Sequence, residues 1–158
     1  MVTEASVVES IRKSESKLAR DGCVEKNSKC KLVIDVGQSH VVLDGNELTR
    51  DNYPVCDCLV FIQGCGLNVV VAECKKKIRD PGHALKQLSN GWREAKKILD
   101  RSDIPCSSPE CFAVLVAGGW NRAVDKKRAQ KATIQMNGKR TVTLGGCGDR
   151  LSKLIGDL

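Results

Sequence analysis

The stretch Asn68-Val69-Val70-Val71-Ala72-Glu73-Cys74-Lys75-Lys76-Lys77 opens as an apolar, β-branched run and closes in charge. Three consecutive valines and an alanine read as a buried strand. Burying a carboxylate and an ammonium at the end of such a strand is costly unless they are paired or hold a metal. Side chains alternate along a strand, so Glu73 and Lys75 point to the same side, roughly 7 Å apart along the chain. We read this stretch as the centre of a metal site. It demands a sheet that buries the valines and leaves a polar site at one strand end.

The flanking segments supply such a sheet. Residues 55–62 are a second apolar strand, with Pro54 at its start, where a missing N–H is harmless. Gln63 to Asn68 is a tight connection, so the two strands predict an antiparallel hairpin. A turn near Gly64-Cys65-Gly66 sets Asp57 opposite residues near 73. Asp80-Pro81 opens a helix, followed at helical spacing by Ala84, Leu85, Leu88, Trp92, Ala95, Ile98 and Leu99. Residues 101–110 read as a loop, and residues 111–117 as a continuous apolar strand. Strand, helix and strand in succession predict parallel pairing with a right-handed crossover and a central strand covered on both faces.

Upstream, residues 3–20 read as a helix with Val8, Ile11 and Leu18 on one face, ended by Asp21-Gly22. Glu15 falls on that same face. It either buries its stem with its head in solvent or points into the site. Glu9 is the competing acid. Residues 31–36 and 40–43 read as strands, and Asp35 ranks below Asp57 as a ligand. Asp44-Gly45-Asn46 signals a turn into a polar, exposed stretch to residue 53. Downstream, Asn137-Gly138 marks a two-residue hairpin turn, and Asp149 is expected to cap a short final helix. No repeat or linker divides the 158 residues, which read as a single domain.

In this order, with Asp57, fifteen intervening residues and then Glu73-x-Lys75, the chain resembles the PD-(D/E)XK nuclease superfamily. The expected fold class is α/β, a restriction-endonuclease-like core in α-β-β-β-α-β order. It would hold a mixed sheet of about four to five strands, plus a carboxy-terminal β-hairpin and short helix. The resemblance implies a metal-dependent endonuclease acting on nucleic acid, with DNA the expected substrate. Asp57, Glu73 and the Cys74 carbonyl form a hard oxygen site suited to Mg²⁺, with Mn²⁺ as a substitute. Lys75 would orient or help deprotonate the attacking water and stabilise phosphate charge. A glutamate on the first helix would join the site, best matched by Glu15, and Gln87 would do so from the long helix. The pattern departs from the family at position 91, a glycine where an aromatic residue is usual, with Trp92 one step beyond, and at Cys56, where proline is usual. In size and charge the chain resembles small stand-alone enzymes such as Holliday-junction resolvases. Cutting both strands of a duplex calls for two sites, hence a homodimer. The alternative is a non-catalytic nucleic-acid-binding or scaffold protein.

Charge agrees with a polyanionic partner: 26 Lys and Arg stand against 19 Asp and Glu, a net +7. Lys76, Lys77, Arg93, Arg122, Lys126, Lys127 and Arg128 are the candidate phosphate contacts, with a solvated surface as the plainer reading. No apolar run approaches the ~20 residues that cross a bilayer, and the first twenty residues lack a signal-peptide centre, so an intracellular protein with no membrane partner is expected. That setting predicts that most of the nine cysteines are reduced structural thiols. One or two disulfides are the alternative, with Cys106 and Cys111 able to bridge. A cysteine-ligated metal lacks ligand spacing.

Overall fold

The computed structural model describes residues 4–102, 108–156 and 158. Helix α1 (Glu4–Ser14) is followed by short strands β1 (Ala19–Arg20), β2 (Cys23–Val24) and β3 (Lys31–Leu32). Strand β4 (His40–Asp44), a 3₁₀ turn (Gly45–Leu48), β5 (Cys58–Gln63), β6 (Leu67–Lys75) and helix α2 (Pro81–Arg101) come next. The chain ends with β7 (Glu110–Ala117), α3 (Ala123–Lys131), β8 (Thr133–Gln135), β9 (Lys139–Gly145) and α4 (Leu151–Ile155). No helix among the described residues is long and apolar enough to cross a membrane.

The protein is α/β, built on a mixed seven-stranded sheet in the order β1-β4-β5-β6-β7-β9-β8. Strands β6, β7 and β9 run parallel to one another, and the other neighbours pair antiparallel. Three short strands, β1, β2 and β3, stand between α1 and the run β4, β5, β6, α2 and β7. The sheet is larger than the four to five strands expected. β1 extends one edge, and the carboxy-terminal hairpin joins the other through β9 on β7 instead of standing apart.

β6 carries the core. Alternation sends Val69 and Val71 to one face, where they pack with Leu59, Phe61 and Leu88. Val70, Ala72 and Cys74 go to the other, with Leu32, Val60 and Leu151. Each buried valine contributes roughly 1.5–3 kcal/mol relative to an exposed one. Helix α2 covers the first face with Ala84, Leu88, Ala95 and Ile98. Its start is as expected: the Asp80 carboxylate accepts from His83 N at 3.2 Å, with Pro81 in the first turn. The Asn137-Gly138 turn is also present, both residues at positive φ.

Several expectations are corrected. The first helix ends at Ser14, because residues 19 and 20 are drawn into pairing with Leu43 and Val42. Tertiary pairing overrides a propensity already weakened by Ser14 and Ser16. The strand expected over 31–36 stops at Leu32 and pairs only with β2. Beyond it the backbone binds the carboxy-terminal segment instead, through Val33 N to Asp149 O and Leu151 N to Val33 O. The Asp35 carboxylate accepts from Ser152 N at 2.9 Å, at the start of α4. Arg150, not Asp149, occupies the cap position of that helix, while Asp149 accepts from Gly146 N at 2.8 Å and closes the preceding turn. The polar stretch 44–53 contains an ordered 3₁₀ turn with a buried glycine.

The largest correction concerns sulfur. Cys23–Cys58 and Cys30–Cys147 are disulfides, and Cys56, Cys65, Cys74 and Cys111 are free thiols. Both bridges tie the β2–β3 hairpin to the rest of the chain, and Cys23, Cys30 and Leu32 of the hairpin are buried. Cys106 lies outside the described residues.

Candidate active site

The last hydrogen-bonded pair between β5 and β6 is Cys58 with Ala72. The next rung brings Asp57 level with Glu73, as the turn position requires, although Asp57 lies one residue before β5 instead of inside it. Here side chains take over from backbone. Glu73 Oε1 accepts from Asp57 N at 2.9 Å, and Asp57 Oδ2 accepts from Cys74 N at 2.8 Å. The two carboxylates thus bracket the strand end reciprocally. Asp57 is 5% exposed and Glu73 1% exposed.

Lys75 lies on the same side as Glu73, as alternation dictates, and its Nζ is 2.9 Å from Glu73 Oε2. Its side chain is 29% exposed, so it closes the solvent side of the pair. The thiol of Cys74 points to the opposite face, which leaves the backbone as its contribution to the site. Within an extended strand the N–H and C=O of one residue face the same neighbour. Cys74 therefore turns both toward Asp57, whereas Lys75 O faces β7 and accepts from Gly118 N at 2.9 Å.

The segment holding Asp57 is gripped from two sides. Gly45 N donates to Asp57 O at 2.8 Å, and Asn46 Nδ2 donates to Asp57 Oδ1 at 3.1 Å. A Cβ on Gly45 would come within 1.9 Å of Cys56 O, so only glycine permits this approach. From α2, Gln87 O accepts from Cys56 N at 3.1 Å, and Asn90 Nδ2 donates to Pro54 O at 2.8 Å. Gly91 leaves room for the Cys56 sulfur, which would sit 2.4 Å from a Cβ there.

Burial, and then the charge of Asp57, push the Glu73 carboxyl up from its ordinary 4.5 to about 8. Burial raises Asp57 as well, against hydrogen bonds from Cys74 N and Asn46 that lower it. Burial alone would lower Lys75, but the adjoining Glu73 carboxylate holds it above its ordinary value. Burial pushes the Cys74 thiol up too. Two acids forced together out of water create a demand for positive charge that Lys75 meets in part.

Glu15 does not join this pair through any hydrogen bond: it binds Arg101 in the last turn of α2 at 3.0 Å. Glu9 pairs with Arg12. Gln87 is buried, its Oε1 without a hydrogen-bond partner, and its backbone carbonyl is what reaches the Asp57 segment. Lys76, Lys77, Arg93, Lys126, Lys127 and Arg128 are exposed. Arg122 is held by Asp125 in a two-pronged contact, Nη2–Oδ1 2.9 Å and Nε–Oδ2 3.1 Å. Parallel pairing of Lys75 with Ala117 puts the start of α3 at the same end of the sheet as Lys75. Asn46, which donates to Asp57, is marked in the sequence only by the Asp-Gly-Asn turn.

Among the described residues, no group of three or more His, Cys, Asp or Glu side chains is placed to hold a metal. Mg²⁺ is commonly held by only one or two carboxylates, with waters and substrate phosphates completing the shell. Asp57, Glu73 and the Cys74 carbonyl fit that narrower requirement. Each carboxylate oxygen has one donor in the structure and keeps capacity for a second partner. Asp57 also lines a cleft of about 570 Å³ whose wall includes Arg20, Lys26, Lys31, Leu32 and Asn46. No family model, curated protein or solved structure matches this chain.

Proposed function

We propose that the chain is a metal-dependent endonuclease with a restriction-endonuclease-like core, hydrolysing phosphodiester bonds in nucleic acid, with DNA as the expected substrate. The observation that carries the reading is the buried Asp57–Glu73 pair with Lys75 Nζ 2.9 Å from Glu73. A pair of acids kept out of water beside a lysine suits binding a dication and steadying phosphate charge. The strand order around β4–β7 and the net charge of +7 point the same way.

Asp57 and Glu73, with the Cys74 carbonyl, would hold Mg²⁺ or Mn²⁺. When bound, the ion supplies Lewis acidity toward a phosphate oxygen and lowers the pKa of water. Asn46 and the Cys74 N–H fix the Asp57 carboxylate, and the Asp57 N–H fixes that of Glu73. Lys75 stays charged and faces solvent at the site's edge, where it orients water or meets the phosphate. Lys76, Lys77 and the basic side of α3 hold the backbone by charge. Glu15, bound to Arg101, and Arg122, bound to Asp125, would need to leave those partners to take part. A homodimer would supply two sites for cutting both strands of a duplex.

One observation favours the second reading, a non-catalytic nucleic-acid-binding or scaffold protein. Both carboxylates already serve structure by finishing the β5–β6 pairing. Incubation with labelled linear, branched and single-stranded DNA and with RNA, in Mg²⁺, Mn²⁺ or chelator, separates the two. Metal-dependent cutting lost in Glu73→Ala and Lys75→Ala is the expected result. Binding without cutting under every condition overturns the enzyme reading.

A further inference from the structure

Cys58 and Cys74 lie on the same face of neighbouring strands. Cys58 stands opposite Ala72, which makes Cys74 its diagonal neighbour. Such neighbours on one sheet face are about 7–8 Å apart, so a third side chain packed above them can reach either. Cys23 occupies that position. It is bonded to Cys58, and its Sγ is 3.9 Å from Cys74 Sγ. All three are buried, at 2%, 3% and 0% exposure.

We propose that Cys23, Cys58 and Cys74 form a thiol–disulfide exchange site in which Cys23 bonds to either partner. In the swap, the Cys74 sulfur gives up its proton and attacks Cys23 Sγ. The Cys23–Cys74 bond forms and the Cys23–Cys58 bond breaks. The electron pair leaves on the Cys58 sulfur, which takes up a proton. Each side holds one disulfide and one thiol, so no oxidant or reductant is consumed. Burial of Cys74 slows the swap without changing its end states. The Cys30–Cys147 bridge fixes the hairpin at the residue before β3, which pairs with β2, and keeps Cys23 within reach.

The two pairings strap the hairpin to different strands. One runs to β5, at the residue after Asp57. The other runs to β6, between Glu73 and Lys75. The sulfur chemistry stands independently of what the carboxylate pair does.

The test is disulfide mapping by mass spectrometry on the full chain, equilibrated in glutathione buffers of graded poise, alkylated in acid and digested without reduction. Wild type is expected to yield both Cys23–Cys58 and Cys23–Cys74 peptides. Their ratio should stay constant as the poise changes, because the swap is redox-neutral. Cys58→Ser should move nearly all bridged Cys23 to Cys74, and Cys74→Ser should leave only the Cys23–Cys58 peptide. Absence of the Cys23–Cys74 peptide from wild type at every poise overturns the proposal, whatever the variants do, so the result does not depend on their folding.

Discussion

The raised Glu73 carboxyl makes stability fall as pH rises. In the unfolded chain the group loses its proton near 4.5, whereas in the folded protein it holds the proton up to about 8. Between these values the native state binds more protons, so ΔG of unfolding declines with pH. The contribution is fully present below 4.5, and its loss is complete above about 8. At 1.36 kcal/mol per pH unit, the span amounts to about 5 kcal/mol. Asp57 is shifted in the same direction and adds to the decline. Lys75, raised above an ordinary 10.5, does not change charge within this window. With an m-value of roughly 1–3 kcal/mol per molar urea, the urea midpoint should fall by about 2 M or more from acid to alkaline pH. Glu73→Gln removes the titrating group and should flatten the profile. Urea titrations followed by circular dichroism, with disulfides intact, measure both chains. A wild-type midpoint that is level from pH 5 to 8, or a Glu73→Gln slope equal to wild type, would show that Glu73 does not hold its proton through this range.

Other outcomes follow from single contacts. Gly45→Ala drives a Cβ into the Cys56 carbonyl and should cost about 3 kcal/mol or more in urea unfolding. Gly91→Ala meets the Cys56 sulfur; about 1–3 kcal/mol of overpacking less about 1 gained in helix propensity should leave a net loss near 1 kcal/mol. Asn46→Ala strips a hydrogen bond from a buried carboxylate, costs about 1.5–3 kcal/mol, and should raise the Asp57 pKa further, seen by carboxyl NMR titration. Replacing Lys126, Lys127 and Arg128 together by alanine should weaken nucleic-acid binding and flatten its salt dependence by about one phosphate contact per residue, measured by fluorescence anisotropy.

What could be read in the sequence is what local chemistry decides. The valine run, alternation and the Gly64-Cys65-Gly66 turn specify β6, the shared side of Glu73 and Lys75, and the register that brings in Asp57. Asp80-Pro81 and Asn137-Gly138 act within a few residues and were equally legible. The remainder depends on partners distant in the chain. Residues 33–36 have an apolar character suited to a strand, yet Val33 spends its backbone N–H and C=O on Asp149 and Leu151, and the Asp35 carboxylate binds Ser152. Glu15 lies beyond its helix because β1 pairs with β4, and Arg101 takes its charge. The bridges span 35 and 117 residues of sequence, and no spacing rule identifies such pairs.

Whether Asp57 and Glu73 hold a divalent ion is read from Mn²⁺ binding followed by water-proton relaxation. Saturable binding at one site per chain is expected, lost in Asp57→Asn and Glu73→Gln. Lys75→Ala should keep or tighten it, since removing the ammonium leaves the carboxylates seeking a cation. No saturable Mn²⁺ binding by the wild type at millimolar metal, or binding unchanged in both carboxylate variants, would mean that Asp57 and Glu73 do not hold the ion.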